Sequence, residues 1–264
     1  MNMYLHELKS LRKSTLLWTC VMIALAALYF SIYPSIAADA ADFKHLLSGY
    51  PASVRAALGI SLDNIATLLG FYAMVFSFIT LFGAIQAMNL GVSILSKEAR
   101  ERTADFLLVK PVSRQAIVSA KLLAALTILL ITNICYYLAV SVLASFLKTA
   151  YSVKLFFLIN LTLLFIQLIF LAIGLVISAF FTRLKAVLPL SLGVVFGFYL
   201  IGALIATGRS QWERFISPFK YFDLTYIMKN AGFEMSYLIT GAVIVVLAVA
   251  ASYVIYAQKD IHAV

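Results

Sequence analysis

The stretch LFFLINLTLLFIQLIFLAIGLVISAFF, Leu155–Phe181, contains no charged residue and decides the fold class. A helix needs about 20 apolar residues to cross the hydrocarbon core of a bilayer. A charge at the centre of such a helix costs about 2.5–3.5 kcal/mol on insertion scales; here Lys154 and Arg183 stand just outside the run. Five further stretches read the same way: Thr15–Ala37, Ala66–Leu95, Gln115–Leu147, Ala186–Gly208 and Tyr237–Ala257. The expected fold is all-α: a polytopic membrane protein with six transmembrane helices, residues 1–264 forming a single transmembrane domain.

Composition agrees. The chain is 64% hydrophobic and 12% charged, whereas a soluble domain is about 25% charged. Six spans leave no room for a separate soluble catalytic domain. A net charge of +9 would suggest nucleic acid in a soluble protein, but basic residues accumulate on the cytoplasmic side of membrane proteins. With the N-terminus inside, Lys9, Arg12, Lys13, Lys97, Arg100, Arg102, Lys110, Arg114, Lys121, Arg183, Lys185 and Lys259 are cytoplasmic, twelve of the 20 basic residues. Both termini are then expected in the cytoplasm, and no nucleic-acid partner is implied. The first span exceeds the roughly 7–15 apolar residues of a signal peptide and reads as a retained helix.

Met1–Ser14 has helical periodicity: Met1, Tyr4, Leu5, Leu8 and Leu11 share a face, with Glu7, Lys9, Ser10, Arg12 and Lys13 mainly opposite. This predicts an amphipathic interfacial helix over 1–14, lying against lipid headgroups. Beyond the first span, Gly49-Tyr50-Pro51 signals a turn and Ala52–Leu58 a short amphipathic piece. The second span carries aromatic residues (Phe71, Phe78, Phe82) and a small-residue row, Gly83, Ala87 and Gly91; the fifth has Gly193, Gly197 and Gly202. Small residues four apart let membrane helices approach closely, so these rows suggest subunit contact or a pathway, with packing inside the subunit as the alternative. Cys20 and Cys135 lie inside spans and read as small core residues.

The most informative polar segment lies between spans two and three. Lys97–Asp105 combines good helix formers with alternating charge, Phe106–Val109 is apolar, Pro111 cannot continue a helix, and Ser113 can cap the next one. The expected product is a short cytoplasmic helix over 97–105 with one polar face for a partner.

Catalytic constellations are absent. No phosphate-binding loop, His-Glu-x-x-His or Cys-x-x-Cys occurs, and His6, His45 and His262 are far apart in sequence. No Asp or Glu lies deep in a span, unlike ion-coupled pumps. Polar residues within spans include Gln86, Asn89, Thr127, Asn133, Asn160 and Gln167, suited to bonds between helices or to a pathway. The chain is therefore not expected to be an enzyme or to bind a metal or cofactor.

Glu98, then Arg102-Thr103-Ala-Asp-Phe-Leu-Leu-Val-Lys-Pro-Val-Ser-Arg114 and Lys121, resembles the cytoplasmic signature of ABC-2 type permeases. Ser217-Pro-Phe-Lys-Tyr-Phe222 and Lys259-Asp260-Ile261 resemble further features of that family; Arg102 departs from it, since many members have Gly there. The resemblance implies a membrane subunit of a bacterial ATP-binding-cassette exporter in the cell membrane. It implies a second permease subunit forming a homodimer, and two copies of a separate ABC ATPase that carry the ATP and Mg. The segment over 97–105 would be the coupling helix, with Glu98, Arg102, Thr103 and Asp105 contacting the ATPase. Spans two and five would meet at the dimer interface, bringing Phe71, Phe78, Phe82, Phe196 and Tyr199 near the pathway. The implied cargo is hydrophobic or amphipathic, with antimicrobial or phenol-soluble-modulin-like peptides first and drugs or antibiotics second. The competing class is a membrane-bound sensor that signals through the same cytoplasmic helix.

Overall fold

The computed structural model describes residues 3–51, 54–55, 60, 62, 64–101, 113–181, 186–205 and 211–258, with backbone alone at 98–101 and 211. Eight α-helices lie in these residues: α1 (Met3–Ala38), α2 (Ala40–Ser48), α3 (Leu68–Glu101), α4 (Arg114–Phe146), α5 (Val153–Phe180), α6 (Val187–Ile205), α7 (Leu224–Asn230) and α8 (Met235–Gln258). Two 3₁₀ turns, Gln211–Ile216 and Pro218–Lys220, separate α6 from α7. Six of the helices (α1, α3, α4, α5, α6 and α8) are long and apolar enough to cross a membrane, which bears out the all-α polytopic fold.

Local chemistry sets several boundaries. Ser113 accepts a hydrogen bond from the Ala116 N–H at 3.2 Å and starts α4, as its sequence position predicts. Ser152 does the same for α5 through Leu155, and Asp223 for α7 through Thr225 and Tyr226. At the other end of α7, Ala231 adopts φ 49°, ψ 38°, a left-handed conformation in which a Cβ is unfavourable. Ala231→Gly should therefore stabilise the protein by about 1 kcal/mol, read as a higher thermal midpoint in detergent.

Two expectations change at the N-terminus. The amphipathic segment is not set off from the first span: α1 runs unbroken over 36 residues, with Pro34 inside it. Its inward stripe also includes Glu7, 3% exposed, while Leu5 points outward at 58%. Of the short amphipathic piece read at Ala52–Leu58, only residues 54–55 are described; α2 supplies a short helix just before it.

Helices α3 and α5 form the centre. Their contact is the most extensive in the bundle, with α1 packed on α4 and α3, α8 on α5, and α6 on α3. Gly91 and Gly174 explain the closeness: a Cβ on Gly91 would lie 2.4 Å from the Leu171 carbonyl oxygen, and one on Gly174 would lie 2.8 Å from that of Met88. The Gly83–Ala87–Gly91 row is thus a packing seam inside the subunit. Its end at Gly83 faces Leu163 and Gln167, and Ala87 is fully buried. The row on α6 differs, since Gly193 and Gly197 have nothing within 4 Å of an added Cβ.

One apolar cluster joins Met22–Tyr33 of α1 to Leu68–Ile79 of α3, Tyr136–Ala144 of α4 and Phe156–Leu163 of α5. A second joins Leu81–Leu95 of α3, Ile117–Leu129 of α4 and Ile166–Ala179 of α5, and reaches Tyr221, Tyr237 and Tyr256. Polar side chains cross between helices inside this packing. Gln86 donates to Thr132 at 3.1 Å, Gln167 donates to Gln86 at 3.1 Å, and Asn133 donates to Gln167 at 2.5 Å. Tyr72 donates to Asn160 at 2.8 Å and lies 2.9 Å from the Tyr136 hydroxyl. Interhelical bonding is therefore the use of these residues. Gln167→Leu, which removes two such bonds, should cost about 1–2 kcal/mol, measurable by thermal unfolding. Cys20 and Cys135 are exposed rather than in the core, alongside outward apolar side chains such as Leu17 and Ile134.

Candidate functional site

The bundle has two ends. At one, here the basic end, α1 begins, α3 ends, α4 begins and α8 ends. The segment read as a coupling helix follows α3 and precedes α4 in the chain. Its first part, through Glu101, continues α3 without a break. Arg102, Thr103 and Asp105 lie outside the described residues, as does the side chain of Glu98.

Both flanks of that segment are anchored by contacts that the sequence reading did not anticipate. Glu7 of α1 sits between two ammonium groups: its Oε1 is 3.6 Å from Lys121 Nζ of α4, and its Oε2 is 3.7 Å from Lys97 Nζ of α3. Lys121 is fully buried and Lys97 is 19% exposed. Lys121 also donates a short hydrogen bond to the Ile94 carbonyl of α3. Lys97 donates to Ser10 of α1 at 2.8 Å, and the Tyr4 and Thr127 hydroxyls meet at 3.1 Å. The start of α4 is also tied to α8, through Arg114 to the Ala257 carbonyl at 3.1 Å and Ser119 with Tyr253 at 2.8 Å.

Ions are buried only where partners offset the cost of desolvating them. Three charges from three helices therefore fix α1, α3 and α4 in one arrangement. Glu7 thus ties α1 to the end of α3 through Lys97 and to the first turns of α4 through Lys121. The sequence held a signal for both unexpected residues. Glu7, read above with the polar face, falls three residues after Tyr4 and four before Leu11 and so borders the apolar stripe. Lys121 interrupts a buried stripe of Ile117, Val118, Ala124, Ala125 and Ile128. A charge within an inward stripe needs an opposite charge facing it.

The predicted pathway aromatics are not one cluster. Phe71 is buried within the subunit, its ring centroid 6.3 Å from that of Tyr29 and 5.4 Å from that of Tyr33. Phe78 and Phe82 are half-buried on α3. Phe196 is 43% exposed on α6, and Tyr199 packs edge-on against Phe219 at 5.5 Å. Gly202, Val195 and Ser191 are buried, whereas the opposite face of α6 exposes Phe196 and Leu200.

Compared with known families, residues 1–261 match the ABC-2 family transporter protein. The chain belongs to the ABC-2 transporter family. It is accordingly a membrane subunit of an ABC transporter, distinct from the ATPase and partnered by one. No match was found among curated proteins.

Proposed function

We propose that this ABC-2 subunit exports an amphipathic cargo, foremost a peptide, from a bacterial cell membrane. In this reading the basic end and both termini are cytoplasmic. Two copies of the chain pair, and two ATPase subunits bind the ATP and Mg. The sequence bias in basic residues supports the orientation. The exposed α6 face supports a permease–permease contact there, with Phe78, Phe82, Phe196 and Tyr199 toward the shared path and Phe71 behind them in the subunit.

The observation that carries the coupling role is the Glu7–Lys97–Lys121 cluster, which ties α1 to the end of α3 and the first turns of α4, the described flanks of the proposed coupling helix. A helix held this way converts closure of the ATPase into tilting of α3 and α4, provided the partner binds its two positions differently. Glu98, Arg102, Thr103 and Asp105 are the proposed ATPase contacts. An apolar path accounts for the lack of carboxylates deep in the spans and favours an amphipathic cargo over an ion.

The test is purification of the chain with its ATPase and reconstitution into vesicles. Glu98→Ala and Arg102→Ala should each lower cargo moved per ATP hydrolysed by about tenfold, the effect of losing one charged contact of about 1.5 kcal/mol, with normal insertion. Unchanged coupling in both variants would remove the coupling assignment. Peptide and drug cargoes, compared in the same vesicles, separate the two exporter readings. A chain that purifies without any ATPase favours the sensor.

A further inference from the structure

At the end opposite the basic one, a cavity of about 360 Å³ lies among α3, α5, α6 and the 211–225 segment. That volume sits at the lower end of small-molecule pockets, enough for a headgroup and the start of a chain. Its walls divide by chemistry. Phe76, Phe219 and Phe222 supply an apolar face. Ser77, Thr80 and Thr162 supply hydroxyls whose hydrogens are already directed to backbone carbonyls of their own helices, at 2.8, 2.8 and 2.7 Å. Those hydroxyls can therefore accept a hydrogen bond from a guest but are not free to donate.

Lys220 and Asp223 supply opposite charges to the same cavity. Arg214 also lines it, but as scaffold. It makes a two-pronged ion pair with Glu234 at 2.7 and 3.1 Å, and it lies 4.2 Å from the centre of the Tyr237 ring. Its Nε and Nη2 donate to the Lys220 carbonyl at 3.2 and 3.1 Å. This pins the backbone that carries Lys220. Ser217 adds a bond to the Phe198 carbonyl of α6 at 2.8 Å, so the wall is fixed to the bundle. Asp223 accepts from the N–H groups of Thr225 and Tyr226 through one oxygen, Oδ1.

We propose that this cavity binds the zwitterionic headgroup of an amphiphile bearing a primary ammonium and a phosphate or carboxylate. The anion faces Lys220. The ammonium donates to Asp223 and the acceptor hydroxyls, and the chain enters along Phe219 and Phe222. Lys220 and Asp223 cancel, as do Arg214 and Glu234, so the site favours a dipolar head over a lone cation or anion. Burial pushes the Lys220 ammonium below its ordinary pKa, the Asp223 carboxylate pulls it back up, and Arg214 pushes it down; a bound anion relieves the same cost. The assignment stands apart from the transport reading, except that this reading places the cavity in the outer leaflet.

The test is equilibrium binding to the purified complex in digitonin, read by native mass spectrometry without ATP. Four probes with the same dodecyl chain are compared: phosphoethanolamine, phosphate, ammonium and maltoside heads. The zwitterion should bind about tenfold tighter than the others, the scale of one charge-assisted hydrogen bond. Lys220→Gln should lower its affinity about tenfold. Asp223→Asn keeps the helix cap and should make the phosphate probe bind as well as the zwitterion. Thr80→Leu should exclude all chains by filling the cavity. Equal binding of the four probes, or an unchanged preference in Asp223→Asn, would overturn the site. So would equally strong competition by phosphoethanolamine without a chain, since the occupant would then be a free solute. None of these readings depends on ATP hydrolysis, so failure here leaves the coupling assignment standing.

Discussion

Replacing Glu7 by glutamine should cost about 3–5 kcal/mol of folding stability, the scale for removing one partner of a buried ion pair. The glutamine is nearly the same size, so packing is conserved. What is lost is the negative charge between Lys121, fully buried, and Lys97, 19% exposed. Lys121 retains its bond to the Ile94 carbonyl, but a carbonyl dipole does not offset a buried ammonium as a carboxylate does. The second substitution makes the test specific. Lys121→Met alone should also destabilise the protein, because Glu7 then faces only Lys97 at 3.7 Å. Glu7→Gln combined with Lys121→Met should recover most of the loss, since a buried pair replaced by well-packed, less polar side chains is often neutral in stability. Denaturant unfolding of the four proteins in micelles gives the interaction energy, expected at about 3 kcal/mol or more. Strictly additive losses, or a Glu7→Gln cost below about 0.5 kcal/mol, would mean that the three charges do not act as one joint. In the reconstituted complex, the proposed function adds that Glu7→Gln lowers transport per ATP even at temperatures where the variant is folded.

Much of this arrangement is legible in the sequence because the membrane simplifies the problem. Apolar length identifies the six spans. Pro111 followed by Ser113 marks the start of α4, which the cap confirms. What periodicity cannot give is which helix faces which. The row Gly83, Ala87 and Gly91 is small whether it meets another subunit or α5, and only the packed bundle shows Gly91 against Gly174. Phe71 reads as an aromatic of the second span; its burial against Tyr29 and Tyr33 depends on where α1 lies. The same holds for the ion cluster. Glu7, Lys97 and Lys121 are separated by long apolar stretches, and their meeting depends on three helices ending at one level. The cavity is the hardest to foresee: Ser217-Pro-Phe-Lys-Tyr-Phe222 looks like a connector, yet it folds back as a wall held by Arg214 and Ser217.

The seam between α3 and α5 carries the second large prediction. Gly91→Ala should cost about 3 kcal/mol or more, at or beyond the usual range for overpacking. The new methyl group would meet the Leu171 carbonyl oxygen at 2.4 Å and the Gly174 Cα at 3.0 Å. These are backbone atoms, so relief requires α3 and α5 to separate as whole helices, and hydrophobic burial gives little to hold them together in lipid. Gly174→Ala meets the same obstacle from the other side, at 2.8 Å from the Met88 carbonyl oxygen and 2.9 Å from the Val92 nitrogen. Gly193→Ala and Gly197→Ala on α6 are the contrasting pair. Open space surrounds both positions in the isolated subunit, and alanine is the better helix former by about 0.8–1 kcal/mol. Thermal unfolding of the monomer in detergent should therefore fall sharply for the first pair and hold or rise for the second. If α6 forms the permease–permease contact, the second pair should instead weaken assembly, seen as a shift toward monomer by light scattering. A stable Gly91→Ala protein would mean that α3 and α5 are not in backbone contact. Because α3 carries Lys97 at one end and borders the cavity through Phe76 and Thr80 at the other, that result would also remove the rigid link through which either end could influence the other.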